Sequence, residues 1–136
     1  MKKVLIVLAI IIIAIQFIPL NRTNPPVKAD FDGPAEIKSI LKRACYNCHS
    51  NETVWPWYSY VAPVSFLVAS DVNEAREHLN FSNWGNLSRK KQVRYRGGIW
   101  EMISNEEMPP WQYKIMHSEA SLSQEDKNLM RGWSGE

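Results

Sequence analysis

The chain has 136 residues, 45% of them hydrophobic, with 16 Lys and Arg against 14 Asp and Glu. That length bounds it to one small domain with short flanking segments, and two cysteines exclude a disulfide framework or a four-thiolate zinc site. All 14 acidic residues lie at or beyond Asp30 and four of the basic ones precede it, so the remainder is slightly acidic and the pI of 8.6 does not argue for nucleic acid.

The N-terminus reads as a membrane segment. Met1-Lys2-Lys3 is a basic head, Val4 to Ile15 is unbroken apolar sequence, and Gln16 is the only polar residue before Asn21. Val4 to Leu20 would cover roughly 26 Å as a helix, close to a bilayer core. No small-x-small cleavage site or lipobox cysteine follows, so residues 1–20 predict an uncleaved signal anchor, a single transmembrane helix in a bacterial inner membrane. The basic head would stay inside and the rest would face the periplasm. Residues 21–33, punctuated by Asn24-Pro25-Pro26 and Asp32-Gly33-Pro34, read as a linker that lets residues 34–136 reorient as one domain.

Within that domain, Pro34 to Ala44 predicts a helix with Ile37, Ile40, Leu41 and Ala44 on one face. Ser50 to Pro63 is aromatic and irregular. A second helix is expected over Val64 to Leu79, a loop over Phe81 to Asn86, and a third helix capped by Ser88 and running to about Ser104. Val93, Trp100 and Ile103 would form its buried face, and Gly97-Gly98 would admit a bulky neighbour. Asn105 to Ser121 reads as a loop. Ser123, with Asp126 at the capping-box position, would start a last helix that turns Leu129, Met130 and Trp133 inward. No strand pattern is present, so the fold class is all-α.

Cys45-Tyr46-Asn47-Cys48-His49, at the end of the first domain helix, carries the chemistry. C-x-x-C-H is the attachment pattern for a covalent c-type haem. Two thiols one helical turn apart can add to the two vinyl groups of one haem, and the adjacent histidine can bind its iron. A zinc site would need two more ligands at metal spacing, which His78 and His117 do not supply. A redox dithiol would sit near a βαβ pattern, and there is none. One covalent haem would also serve a small domain as a large apolar core element, walled by some of the six Trp. The free nitrogen of His49 should donate to a carbonyl, which the sequence places in the Trp55–Pro63 stretch.

A sixth iron ligand is sought in Met108, 59 residues after His49 and followed by Pro109-Pro110, which exclude helix and stiffen the loop. Met116 and His117, on the same loop, are the alternatives. His78, on a polar helix end, reads as a surface residue. Arg89-Lys90-Lys91 with Arg94 and Arg96 is the one basic cluster, either a solvated helix face or a docking patch for an acidic redox partner or a membrane.

The order of a helix ending in C-x-x-C-H, Met108-Pro109 and a C-terminal helix containing Leu129 and Trp133 resembles class I cytochromes c, a resemblance that implies packing of the last helix on the first. A closer likeness is to the bacterial haem-binding domain family. It is carried by Cys45–Ser50, Trp55-Pro56-Trp57-Tyr58, Ala62-Pro63-Val64, Leu79-Asn80-Phe81-Ser82-Asn83-Trp84, and Met108-Pro109-Pro110 with Tyr113, His117 and Leu122-Ser123. It implies covalent haem binding and leaves the physiological role open. The expectation is a membrane-anchored single-electron carrier with His49 and Met108 on the iron, and not an enzyme. The alternatives are a haem-based gas sensor or a small peroxidase with an open sixth position, or a haem-free dithiol oxidoreductase.

Overall fold

In the computed structural model, which describes residues 1–135, every regular element is helical. The order is α1 (Lys2–Ile15), α2 (Ala35–Ala44), α3 (Tyr46–His49), α4 (Val64–His78), α5 (Arg89–Ser104), α6 (Trp111–Met116) and α7 (Gln124–Ser134). Short 3-10 helices lie at Trp57–Tyr60, Phe81–Asn86 and Ser118–Ala120. The all-α expectation holds for the domain.

The transmembrane expectation does not. Among the described residues no helix is long and apolar enough to cross a membrane. α1 has 14 residues, about 21 Å of helix, where a span needs about 20 residues. Gln16, the one polar residue in the run, lies where the helix stops. Its amide donates to Ile12 O within the helix and to Ala62 O across the fold, while its Oε1 accepts from Ala62 N–H. The chain then turns through Phe17 and Ile18 to Pro19. A single-pass inner-membrane anchor, and the membrane location inferred from it, are therefore overturned.

The segment that reads as a linker lies against the domain. Lys28 and Ala29 both donate backbone N–H to Ser82 O, and Gly85 donates to Ala29 O. Phe31 is buried against Phe81, Trp84 and Trp133. Tyr46 donates its hydroxyl to Asp30, whose other oxygen meets Lys38 at 2.8 Å. Prolines and polar residues gave this stretch no periodicity, but Phe31 and these hydrogen bonds fix it.

α2 buries the four expected residues, Ile37, Ile40, Leu41 and Ala44. Together with Phe31, Tyr46, Phe81, Trp84, Ile103 and Met130 they build the core. α7 packs on both α2 and α5, the packing of last helix on first that the cytochrome resemblance implies. α4 packs on α3 and on the Trp57–Tyr60 turn, so the second domain helix supports the Cys-x-x-Cys-His turn directly. Ser88 caps α5 as expected, accepting from Lys91 N–H. Within α5, Ile103 is buried while Val93 is exposed. A Cβ at Gly97 or Gly98 would meet nothing within 4 Å, so no protein group makes the close approach expected there. The expected loop at 105–121 contains α6, because Pro110 stands at its N-cap: proline blocks a helix behind it but starts one well.

At the start of α7 the capping box forms. Asp126 N–H donates to Ser123 Oγ, Asp126 Oδ2 accepts from Ser123 N–H, and Arg43 of α2 reaches the same oxygen at 2.7 Å. Burial alone would raise the Asp126 carboxyl, but the Ser123 N–H, Arg43 and the Ser123 hydroxyl outweigh it and hold it below its ordinary 3.8. Asp126→Ala is expected to lose about 1–2 kcal/mol, read as a lower urea midpoint. A depressed carboxyl stabilises fully above its unfolded value and loses that contribution as pH falls through the folded one. The gap between wild type and variant should therefore close below about pH 4.

Candidate functional site

Cys45, Cys48 and His49 come together because α2 ends at Ala44 and the chain begins a new turn at once. Cys45 leaves helical geometry (φ −124°, ψ −34°), and its carbonyl then accepts from Cys48 and His49 N–H, closing α3. Both cysteines are free thiols. Burial pushes Cys45 up to about 12, with Cys48 adding to it, and pushes Cys48 up to about 11, with Asp71 adding to it. Thiols held in that range are poor exchange nucleophiles near neutral pH, which counts against the dithiol oxidoreductase.

The His49 ring is fixed from one side. Nδ1 lies 3.1 Å from Ala75 O and 3.1 Å from Leu79 O. Both neighbours are acceptors only, so Nδ1 carries the proton and donates, and Nε2 keeps its lone pair. Burial lowers the pKa of the imidazole, against the partial opposition of those two carbonyls, so the ring stays in the neutral, metal-binding form. The acceptors were expected in the Trp55–Pro63 stretch and come instead from the last turn of α4. Ala75 O accepts Leu79 N–H at the helix end and turns its second lone pair to the ring, and Leu79, extended at φ −152° and ψ 125°, brings its own carbonyl there as well.

Behind the histidine the backbone is clamped by Arg76, which gave no signal in the sequence beyond a polar helix end. Its guanidinium donates to Ser50 O at 2.7 Å, Thr53 Oγ1 at 2.8 Å, Asn24 Oδ1 at 2.9 Å and Thr23 O at 2.9 Å. Asn51 adds a second tie, donating N–H to Ser82 Oγ and accepting from Asn80 Nδ2. The segment following the motif is thus held by α4 and by the Phe81–Asn86 turn.

In front of the motif stands a polar aromatic group. Asn47, inside the motif, donates to Tyr113 Oη at 2.7 Å. Tyr113 stacks on His117 with ring centroids 4.3 Å apart. His117 Nδ1 meets Glu119 at 3.0 Å and its Nε2 meets the Tyr58 hydroxyl at 2.8 Å. In the neutral ring Nδ1 donates to the carboxylate and Nε2 accepts from Tyr58, so both nitrogens of His117 are engaged. Met108 stands in the turn after α5, where Met102 O accepts from both Glu107 and Met108 N–H. Its side chain is 36% exposed, and that of Met116 is exposed as well. His78 lies on the surface beside Glu74.

These residues fit a haem on three counts. The donor set is two adjacent thiols and a neutral imidazole with a free Nε2. Trp55 Nε1–H is buried with no hydrogen-bond partner, an orphan that a propionate oxygen would satisfy. Bulky apolar side chains stand exposed on the two segments tied to the motif, among them Trp57, Val64 and Leu67 on one and Trp111 and Ile115 on the other. A porphyrin face would cover such surface. The family model for the haem-binding domain matches residues 10–136. No curated protein and no solved structure matches the chain.

Proposed function

The chain belongs to the haem-binding domain family, and from that premise we propose that it is a single-haem electron carrier, with Cys45 and Cys48 joined to one haem c by thioether bonds and His49 Nε2 on its iron. The observation that supports this reading most is the pair of carbonyls on His49 Nδ1. They fix the tautomer and the ring plane and leave Nε2 with its lone pair for the iron. When bound, the haem supplies a one-electron iron couple, whose potential a His/Met pair raises. Arg76 holds the Ser50–Thr53 segment through Ser50 O and Thr53 Oγ1, and Trp55 Nε1–H would donate to a haem propionate.

Met108 is the proposed sixth ligand. Its sulfur belongs to a turn pinned on Met102 O and its side chain is partly open to solvent. His117 would have to give up Tyr58 or Glu119 to reach a metal, so it is the weaker candidate, and Met116, exposed on α6 beside Ile115, is the other alternative. The same Tyr58–His117–Glu119 chain favours one second reading, a small peroxidase, since it offers a positioned proton donor and acceptor.

Absorption spectra of the full chain, matured with haem and recorded oxidised, reduced and reduced under carbon monoxide, test both. The wild type is expected to be low-spin and unmoved by carbon monoxide. Met108→Ala should keep its haem, become high-spin and bind carbon monoxide. A wild type that already binds carbon monoxide would move the reading to a sensor or peroxidase. A Met108→Ala spectrum identical to wild type would remove Met108 from the iron.

A further inference from the structure

α5 begins with charge of the wrong sign. Arg89, Lys90 and Lys91 occupy its first turn, with no acidic residue among them, at the end of the helix where the backbone dipole is positive. Arg94 and Arg96 follow. Among the described residues none of these five forms an ion pair within 4 Å. Arg89, Gln92, Val93 and Arg96 line a groove of about 380 Å³. At its edge the Arg96 guanidinium lies over the Trp133 ring, 5.1 Å from the centroid. Arg96 Nε and Trp133 Nε1 are both buried and both lack a hydrogen-bond partner. The site therefore gathers cations and two orphaned donors, with no carboxylate among the residues that line it.

From Trp133 a series of rings leads to the haem motif. Trp133 and Trp84 centroids are 5.9 Å apart, Trp84 and Phe81 5.9 Å, and Phe81 and His49 6.5 Å. We propose that this groove takes a carboxylate from the acidic face of a partner protein, and that the partner exchanges electrons with the haem from there. The proposal rests on the electron-carrier reading. Three of the five cations are arginines, which grip carboxylates through two parallel bonds. A membrane surface suits the face less well, because a helix that lies in a bilayer interface must offer apolar side chains to it. Here Tyr95, Ile99, Trp100 and Ile103 are turned to the core.

The test is stopped-flow reduction of the oxidised full chain by two reductants, an acidic plant-type ferredoxin and the cationic hexaammineruthenium(II) ion. Arg89→Glu/Lys91→Glu/Arg94→Glu is compared with wild type, and Arg89→Gln/Lys91→Gln replaces it if the reversal prevents folding. With ferredoxin the wild-type rate should fall as salt rises, and the reversed variant should be slower by about tenfold or more at low salt. The ruthenium rate should not fall. An unchanged ferredoxin rate overturns the proposal. So does a variant that loses binding to phosphatidylserine vesicles while keeping its ferredoxin rate, which would give the face to lipid. If neither reductant reduces the chain, the electron-carrier reading fails. Calorimetric titration of ferredoxin into wild type and variant then decides the surface alone: equal binding overturns it, and weaker binding to the variant upholds it.

Discussion

Cys45→Ser/Cys48→Ser is expected to yield a chain from which all haem is lost on denaturation. Wild type matured with haem should run on a denaturing gel as a haem-staining band and show the intact mass of chain plus one haem, with no thiol left to titrate. The double variant should show neither. Each single variant should keep a stain of reduced yield, since one thioether remains possible. The expectation follows from the count: the chain has two cysteines, both are free thiols in one turn, and neither has another covalent partner to serve. Noncovalent contacts alone would be released by denaturant. A double variant that still stains would mean that the haem is held by ligation and packing only. A wild type whose two thiols titrate in full would mean the same.

The gathering of Cys45, Cys48 and His49 in one turn was legible because its geometry is local. Two thiols and an imidazole must share a turn, and sequence spacing dictates a turn. The group that orients His49 was not legible. Ala75 O and Leu79 O reach Nδ1 only because α4 crosses α3 and ends there, a matter of packing between elements 26 and 30 residues apart. Every residue carries a carbonyl, so nothing in the sequence marks the two that are used. The two nitrogens of His117 illustrate the same limit. As a loop residue near Met108 it read as a spare ligand; Glu119, two residues on, was in plain view, but Tyr58 reaches it across 59 residues only once the chain has folded.

Helix boundaries were legible where the cap or the apolar stripe was explicit. Ser88 and Ser123 cap as their sequences require, and the α2 stripe is buried residue for residue. The N-terminus failed for a different reason. Its hydropathy was read as one continuous span, but a helix needs only one residue with better bonds elsewhere to stop. Gln16 finds them on Ala62, and the apolar residues beyond it no longer add to the length of α1.

The run Leu79-Asn80-Phe81-Ser82-Asn83-Trp84 was distinctive in sequence and had no chemistry to explain it. In the structure it is the junction of the whole domain, and Trp84→Ala should have the largest effect on stability of any substitution considered. Trp84 is 1% exposed and packs against Phe31 at 5.4 Å, Phe81 and Trp133 at 5.9 Å, and Tyr95 at 6.4 Å between ring centroids. Those rings come from the 21–33 segment, from the 3-10 turn itself, from α7 and from α5, so one side chain joins four parts of the chain. Truncating a buried Trp to Ala costs about 3–5 kcal/mol, against a total of about 5–15 kcal/mol for a domain. Urea unfolding followed by far-ultraviolet circular dichroism should show the midpoint falling by about a fifth or more with the slope unchanged. Trp84→Phe keeps most of the apolar area and should lose less than half as much. The pair of variants separates packing from mere bulk: if Trp84→Ala unfolds within about 1 kcal/mol of wild type, the core is not organised around this turn. A loss confined to the haem-loaded form would place Trp84 with the cofactor and not with the fold.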